Sequence, residues 1–118
     1  MKKLATIAII AIAGLSSIVA KAGAVPGPKV ANTSVNANSV DCYTIVFRGG
    51  EDARVFVKGD GDTDLDLFVY DENGNMVDCD VDPTDACLAL FRPKWTGTFI
   101  IRVVNHGSVY NSYRLTTN

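Results

Sequence analysis

The chain is poor in the residues that chemistry usually runs on. It has one histidine, His106, and one tryptophan, Trp95, in 118 residues. His106 sits in Asn105-His-Gly-Ser108. Ser108 is close by, but two residues do not supply a nucleophile, a base and an orienting partner. An exposed turn histidine is the expectation. Three cysteines, Cys42, Cys79 and Cys87, and a single histidine lack the tight ligand spacing of a zinc site. Excess positive charge is missing too: eleven Lys and Arg stand against thirteen Asp and Glu. That balance removes the electrostatic basis for binding nucleic acid or an anionic membrane surface. Helical periodicity is absent beyond an apolar run at the N-terminus.

That run is the first feature present. Met1-Lys-Lys3 is basic, Leu4 to Ala20 is apolar with little interruption, and Ala20-Lys-Ala22 fits a small-x-small cleavage pattern. The run is about as long as the roughly 17 residues of a spanning helix. Its cleavage pattern and its place at the extreme N-terminus argue instead for a signal peptide over residues 1–22. A lipid anchor is disfavoured because the first cysteine is Cys42. Cleavage would remove Lys2, Lys3 and Lys21, leaving 96 residues with eight basic and thirteen acidic side chains, a charge of about −5. The expected protein is exported, periplasmic or extracellular, where disulfides form. This length allows one domain with a small, marginally stable core.

The chain is organised around Asp60-Gly-Asp-Gly-Asp-Thr-Asp-Leu-Asp-Leu-Phe-Val-Tyr-Asp71 and the turn that follows. An acidic, glycine-containing loop passes into an alternating strand, with Leu65, Leu67 and Val69 on one side and Asp64, Asp66, Phe68 and Tyr70 on the other. Asn73-Gly74 then supplies the positive φ of a tight hairpin. Similar strands are expected at Cys42–Arg48, Ala53–Lys58, Asn75–Asp78, Cys87–Phe91, Thr98–Val104 and Asn111–Thr117. Inward residues would be Tyr43, Ile45, Phe47, Val55, Val57, Tyr113 and Leu115. Thr98–Val104 is apolar on both faces except for Arg102, which makes it a central strand. Residues 23–38 hold Pro26, Pro28 and a Ser/Asn/Thr-rich run without periodicity, and read as a flexible arm before a domain at 39–118. About seven or eight short strands with regular turn signals predict an antiparallel β-sandwich.

Three cysteines leave one unpaired. Cys79 and Cys87 flank a polar loop and can face each other across a hairpin, a bridge contributing roughly 2.5 kcal/mol in the chain-entropy model. Cys42, opposite Tyr43, Ile45 and Phe47 on its strand, is expected as a buried free thiol. Asp60, Asp62, Asp64 and Asp66 alternate, so several carboxylates can converge on a hard cation such as calcium. An EF-hand is rejected, because Leu65 stands where that loop needs glycine and no Glu closes it. The alternative is a solvated acidic loop that keeps a sheet edge soluble. Trp95 either caps the core or joins Tyr70 and Tyr110 in an aromatic contact surface.

Asp41-Cys-Tyr-Thr-Ile-Val-Phe47, Asp64-Leu-Asp-Leu-Phe-Val-Tyr-Asp71, Asp78-Cys79, Cys87, Thr96-Gly-Thr-Phe-Ile-Ile-Arg-Val103 and Tyr110-Asn-Ser-Tyr-Arg-Leu115 together resemble the bacterial pre-peptidase C-terminal domain, over about 80 residues. The resemblance implies a jelly-roll-like sandwich that accompanies secreted proteases and is not itself catalytic. It implies pairing of Cys79 with Cys87. Related collagen-binding domains carry calcium sites and a ligand-binding sheet face, and Asp41 matches one of their calcium ligands. The acidic arm that supplies their other ligands is replaced here by Asn32, Asn36 and Asn38. No peptidase domain accompanies the module in these 118 residues. The expectation is a non-catalytic binding module for a protein or polysaccharide surface, with calcium rigidifying the acidic loops. The alternatives are a carboxylate-dependent hydrolase using Asp64 and Asp66, or a protease-associated secretion or inhibitor module.

Overall fold

The computed structural model describes residues 2–4 and 23–118. Its strands are β1 (Lys2–Leu4), β2 (Val30–Val35), β3 (Val40–Phe47), β4 (Ala53–Lys58), β5 (Leu65–Tyr70), β6 (Met76–Asp80), β7 (Ala86–Phe91), β8 (Gly97–Asn105) and β9 (Asn111–Thr117). One sheet has the order β1-β3-β8-β5-β6 and the other β2-β9-β4-β7. The antiparallel partners are nested: β2 with β9, β3 with β8, β4 with β7 and β5 with β6. This is one long hairpin rolled into two layers, the arrangement of a jelly roll. Its tip is the Asp71–Asn75 turn. Gly74 there has φ +85°, and Asp71 Oδ1 accepts the N–H groups of Asn73 and Asn75 at 2.9 Å. β1 lies parallel along the start of β3. The body of the expected signal peptide, residues 5–22, lies outside the described residues.

The pleat does what the alternation requires. Tyr43, Phe47, Leu65, Leu67, Val69, Ile101 and Val103 bury against Val55, Val57, Cys87, Ala89, Tyr113 and Leu115 of the other sheet. Each large apolar side chain stabilises the fold by roughly 1.5–3 kcal/mol. β8 is central, between β3 and β5, as its two apolar faces predict.

One polar element crosses this interior. Tyr43 of β3 and Tyr113 of β9 share a hydroxyl–hydroxyl hydrogen bond, and Tyr113 donates to Asp41 Oδ2 at 2.7 Å. Both phenols are buried. Burial pushes Tyr43 up to about 12, and burial with the Tyr43 bond drives Tyr113 upward as well.

Three expectations are corrected. Residues 23–38 are not simply an arm: they supply β2, whose Ala31 and Val35 are buried and whose backbone pairs with β9. Cys42 faces the outer side of its sheet and is only half-buried. Cys79 and Cys87 are both free thiols. Cys79 belongs to β6, not to a loop, and lies between Asp78 and Asp80. Those two carboxylates reach across to the neighbouring edge strand: Asp78 Oδ2 accepts Leu90 N–H at 2.7 Å and Asp80 Oδ2 accepts Leu88 N–H at 2.9 Å. Successive side chains on a strand point to opposite sides, so Cys79 turns away from β7. Cys87 points into the core, its Sγ–H donating to Leu65 O at 3.1 Å, and burial pushes its pKa up to about 12.

Candidate functional site

The sandwich has two unlike ends. At one, the loops between β4 and β5 and between β6 and β7 gather a cluster of aspartates, and the loop between β8 and β9 brings His106. Most of their carboxylates are taken up by the protein's own donors. Asp60 accepts Ser112 N–H at 2.9 Å and Asp62 N–H at 3.0 Å, bonds that hold it below the usual carboxylate range. Asp82 accepts the Thr84 hydroxyl and N–H and is lowered for that reason. Asp85, itself buried, accepts from Gly61 and Asn111. Gly59 is required here, since a Cβ would lie 2.2 Å from Asp85 Oδ2.

The expected cation ligands are therefore not gathered together. Asp41 lies inside the sandwich on Tyr113. Asp60 is bound to backbone, and Asp62 is exposed. Asp66 Oδ2 meets His106 Nε2 at 2.7 Å. Asp64 is half-buried beside them, its pKa raised by burial and then by the charge of Asp66. Among the described residues no group of three or more His, Cys, Asp or Glu is arranged to hold a metal ion. His106, expected as a plain turn residue, has a carboxylate partner that arrives from a distant part of the chain.

The other end carries the concave feature. A groove of about 300 Å³ opens between the β5–β6 turn and the β7–β8 loop, lined by residues including Val77, Phe91, Trp95 and Phe99. Its floor is aromatic and continuous with the core: Phe91 lies 5.1 Å from both Phe47 and Phe99, centroid to centroid. Trp95 is its exposed wall, 53% accessible. Two glycines set that wall. A Cβ on Gly49 would stand 2.5 Å from Trp95 Cα, and one on Gly97 would press on the indole and on Glu72 Oε1. Glu72 Oε1 in turn accepts Thr98 N–H at 3.2 Å. A wider hollow of about 550 Å³, around Lys58, Ser112 and Arg114, is more open and lined mostly by polar residues.

The three aromatic residues expected to act together are separated. Tyr70 ends β5 on the outer face of the five-stranded sheet, where it stacks on Phe68 at 6.5 Å. Tyr110 is exposed in the loop after β8, while Trp95 precedes β8. Nine residues of strand separate them, about 30 Å at the usual rise.

Solved structures share this architecture. The pre-peptidase C-terminal domain of a Bacillus anthracis collagenase matches with a TM-score of 0.62 at 13% identity, over 77% of this chain and 87% of that one. The fold is similar to that of this domain. A periplasmic inhibitor of g-type lysozyme from Aeromonas hydrophila has it too, with a TM-score of 0.61 at 14% identity over 100% of this chain and 98% of that one. So does a Yersinia pseudotuberculosis-derived mitogen, at 0.57 and 13% identity over 80% and 86%. No protein-family model and no curated protein sequence matches the chain. At these identities the likeness is one of fold, and one fold carries many functions.

Proposed function

We propose that this is a non-catalytic module of the exported compartment, whose work is to hold a protein partner at the Trp95 end of the sandwich. The observation that carries this reading is the groove itself: a concave site with an aromatic floor and a half-exposed indole wall, large enough for one bulky side chain of a partner. Buried aromatic anchors of this kind dominate protein interfaces. A neighbour of the same fold is an inhibitor of g-type lysozyme, so such an enzyme is the first partner to try. Polysaccharide is the second.

Trp95 is the sole tryptophan, so its emission reports on the groove directly. Titrating the protein with a g-type lysozyme, and separately with soluble cell-wall polysaccharides, should change that emission for one of them. Trp95→Ala should weaken the same binding at least about tenfold, measured by calorimetry. A partner that binds wild type and Trp95→Ala equally would remove the groove from the function.

The acidic end enters this reading as scaffold. Its carboxylates hold loops together, so unfolding midpoints in calcium and in chelator should agree within about 1 °C; a native-state ligand at high occupancy would separate them by much more. The contact between Asp66 and His106 favours one other reading, a carboxylate-dependent hydrolase. Hydrolysis of any substrate in a broad screen, lost in Asp66→Asn, would establish it.

A further inference from the structure

The outer face of the five-stranded sheet is a second surface, distinct from the groove. The register places side chains there in rows: Thr44, Ile100, Tyr70 and Met76 in one, and Cys42, Arg102, Phe68 and Cys79 in the next. Val40, Val104 and Asp66 follow on the far side. Ile100 is 37% and Met76 54% accessible, while Phe68, Tyr70, Cys42, Cys79 and Val104 are half-buried. One cation stands near the middle of this apolar field. Arg102 Nε is buried and has no hydrogen-bond partner, and among the described residues no carboxylate forms an ion pair with it. The nearest acid on the face by register, Asp66, meets His106 through Oδ2, and its Oδ1 is likewise buried without a hydrogen-bond partner.

A guanidinium flanked by apolar side chains, with a desolvated Nε–H left open, is costly to keep in the free protein. A guanidinium is also the donor set that carboxylates bind, and with Nε buried the approach is to the Nη groups. We infer that this face docks a protein partner through an aspartate or glutamate that caps Arg102, its apolar surroundings seated on Phe68, Tyr70 and Ile100. A second copy of this chain is the wrong occupant. A two-fold dimer centred on the face would bring two Arg102 side chains together at the axis, and like charges there repel. Phosphate-rich partners are disfavoured by the chain's net acidity.

The test uses arginine side-chain ¹⁵N labelling and two peptides, acetyl-Val-Glu-Val-amide and its glutamine counterpart. The Arg102 Nε–H signal should move with the glutamate peptide several-fold more than those of exposed Arg54 and Arg114, and should barely move with the glutamine peptide. Equal movement of all the arginines, or equal effects of the two peptides, would overturn the assignment. Arg102→Leu supplies an independent reading on the free protein. Removing an unsatisfied buried donor should hold or raise the unfolding midpoint by about 2–4 °C. A fall of more than about 5 °C would make Arg102 a tether of the fold and end the proposal. Trp95→Ala should leave the Arg102 response unchanged, which separates this surface from the groove.

Discussion

Between pH 10 and 12 the protein should lose stability at up to about 4 kcal/mol per pH unit and unfold before the upper limit. The cause is three buried acids that resist ionising. Cys87 rises from an ordinary 9.0 to about 12, Tyr43 rises from 10.0 to about 12, and Tyr113 rises further in the same direction. Burial is the largest cause for each. All three folded values lie above the unfolded ones, so the stability is fully present below about pH 9 and is lost as pH climbs toward the folded values. Once the unfolded chain has released three protons that the folded chain keeps, each contributes about 1.4 kcal/mol per pH unit. A domain of this size has about 5–15 kcal/mol to lose. Urea midpoints from pH 8 to 11.5 measure the slope, and Tyr43→Phe or Cys87→Ala should each cut it by about a third. A midpoint that stayed level to pH 11.5 would mean that these groups are not buried as described.

The double substitution Asp78→Ala/Asp80→Ala should cost about 2–3 kcal/mol and promote aggregation. Each carboxylate accepts one edge N–H, of Leu90 and Leu88 respectively. A charge-assisted bond is worth about 1.5–3 kcal/mol when shielded, and less at an edge partly open to water. The second consequence follows from position. β7 is an edge strand of its sheet, and Leu88 and Leu90 are exposed on it. With its N–H groups uncovered, β7 becomes a flat apolar edge ready to pair with another chain. Denaturant titration measures the first effect and light scattering during refolding the second. Asp78→Asn/Asp80→Asn keeps the acceptor oxygens and should recover about half the loss. If neither pair of changes alters stability or solubility, the two sheets are joined at this side by packing alone.

The parts of the fold legible in the sequence are those with a period. Leu65, Leu67 and Val69 are inward because a strand alternates and only one of its sides is apolar there. Asn73-Gly74 marks the hairpin tip because few other pairs tolerate positive φ. Arg102 stood out in Thr98–Val104 as the one charge in a run otherwise apolar on both faces, and among the described residues its Nε has no hydrogen-bond partner. Strand β2 was missed because Val30-Ala-Asn-Thr-Ser-Val35 is mostly small and polar: its pairing with β9 comes from the partner, not from its own pattern. The Asp66–His106 contact was missed because 40 residues separate the two, and no spacing rule reaches that far.

The cysteines mark the boundary most sharply. Eight residues apart around a polar loop, Cys79 and Cys87 look like a bridged pair, but whether they meet depends on which way the pleat of β6 faces when β7 settles beside it. Packing of the two sheets turned Asp78 and Asp80 toward β7 and Cys79 away. The same packing sent Trp95 and Tyr110 to opposite ends of β8 and brought Phe91 and the indole to line one groove. Backbone preference and alternation are local properties, carried by neighbouring residues, so the linear chain reveals the strands and their faces. Which faces meet is set by burial summed over both sheets at once, and that quantity exists only in the folded molecule.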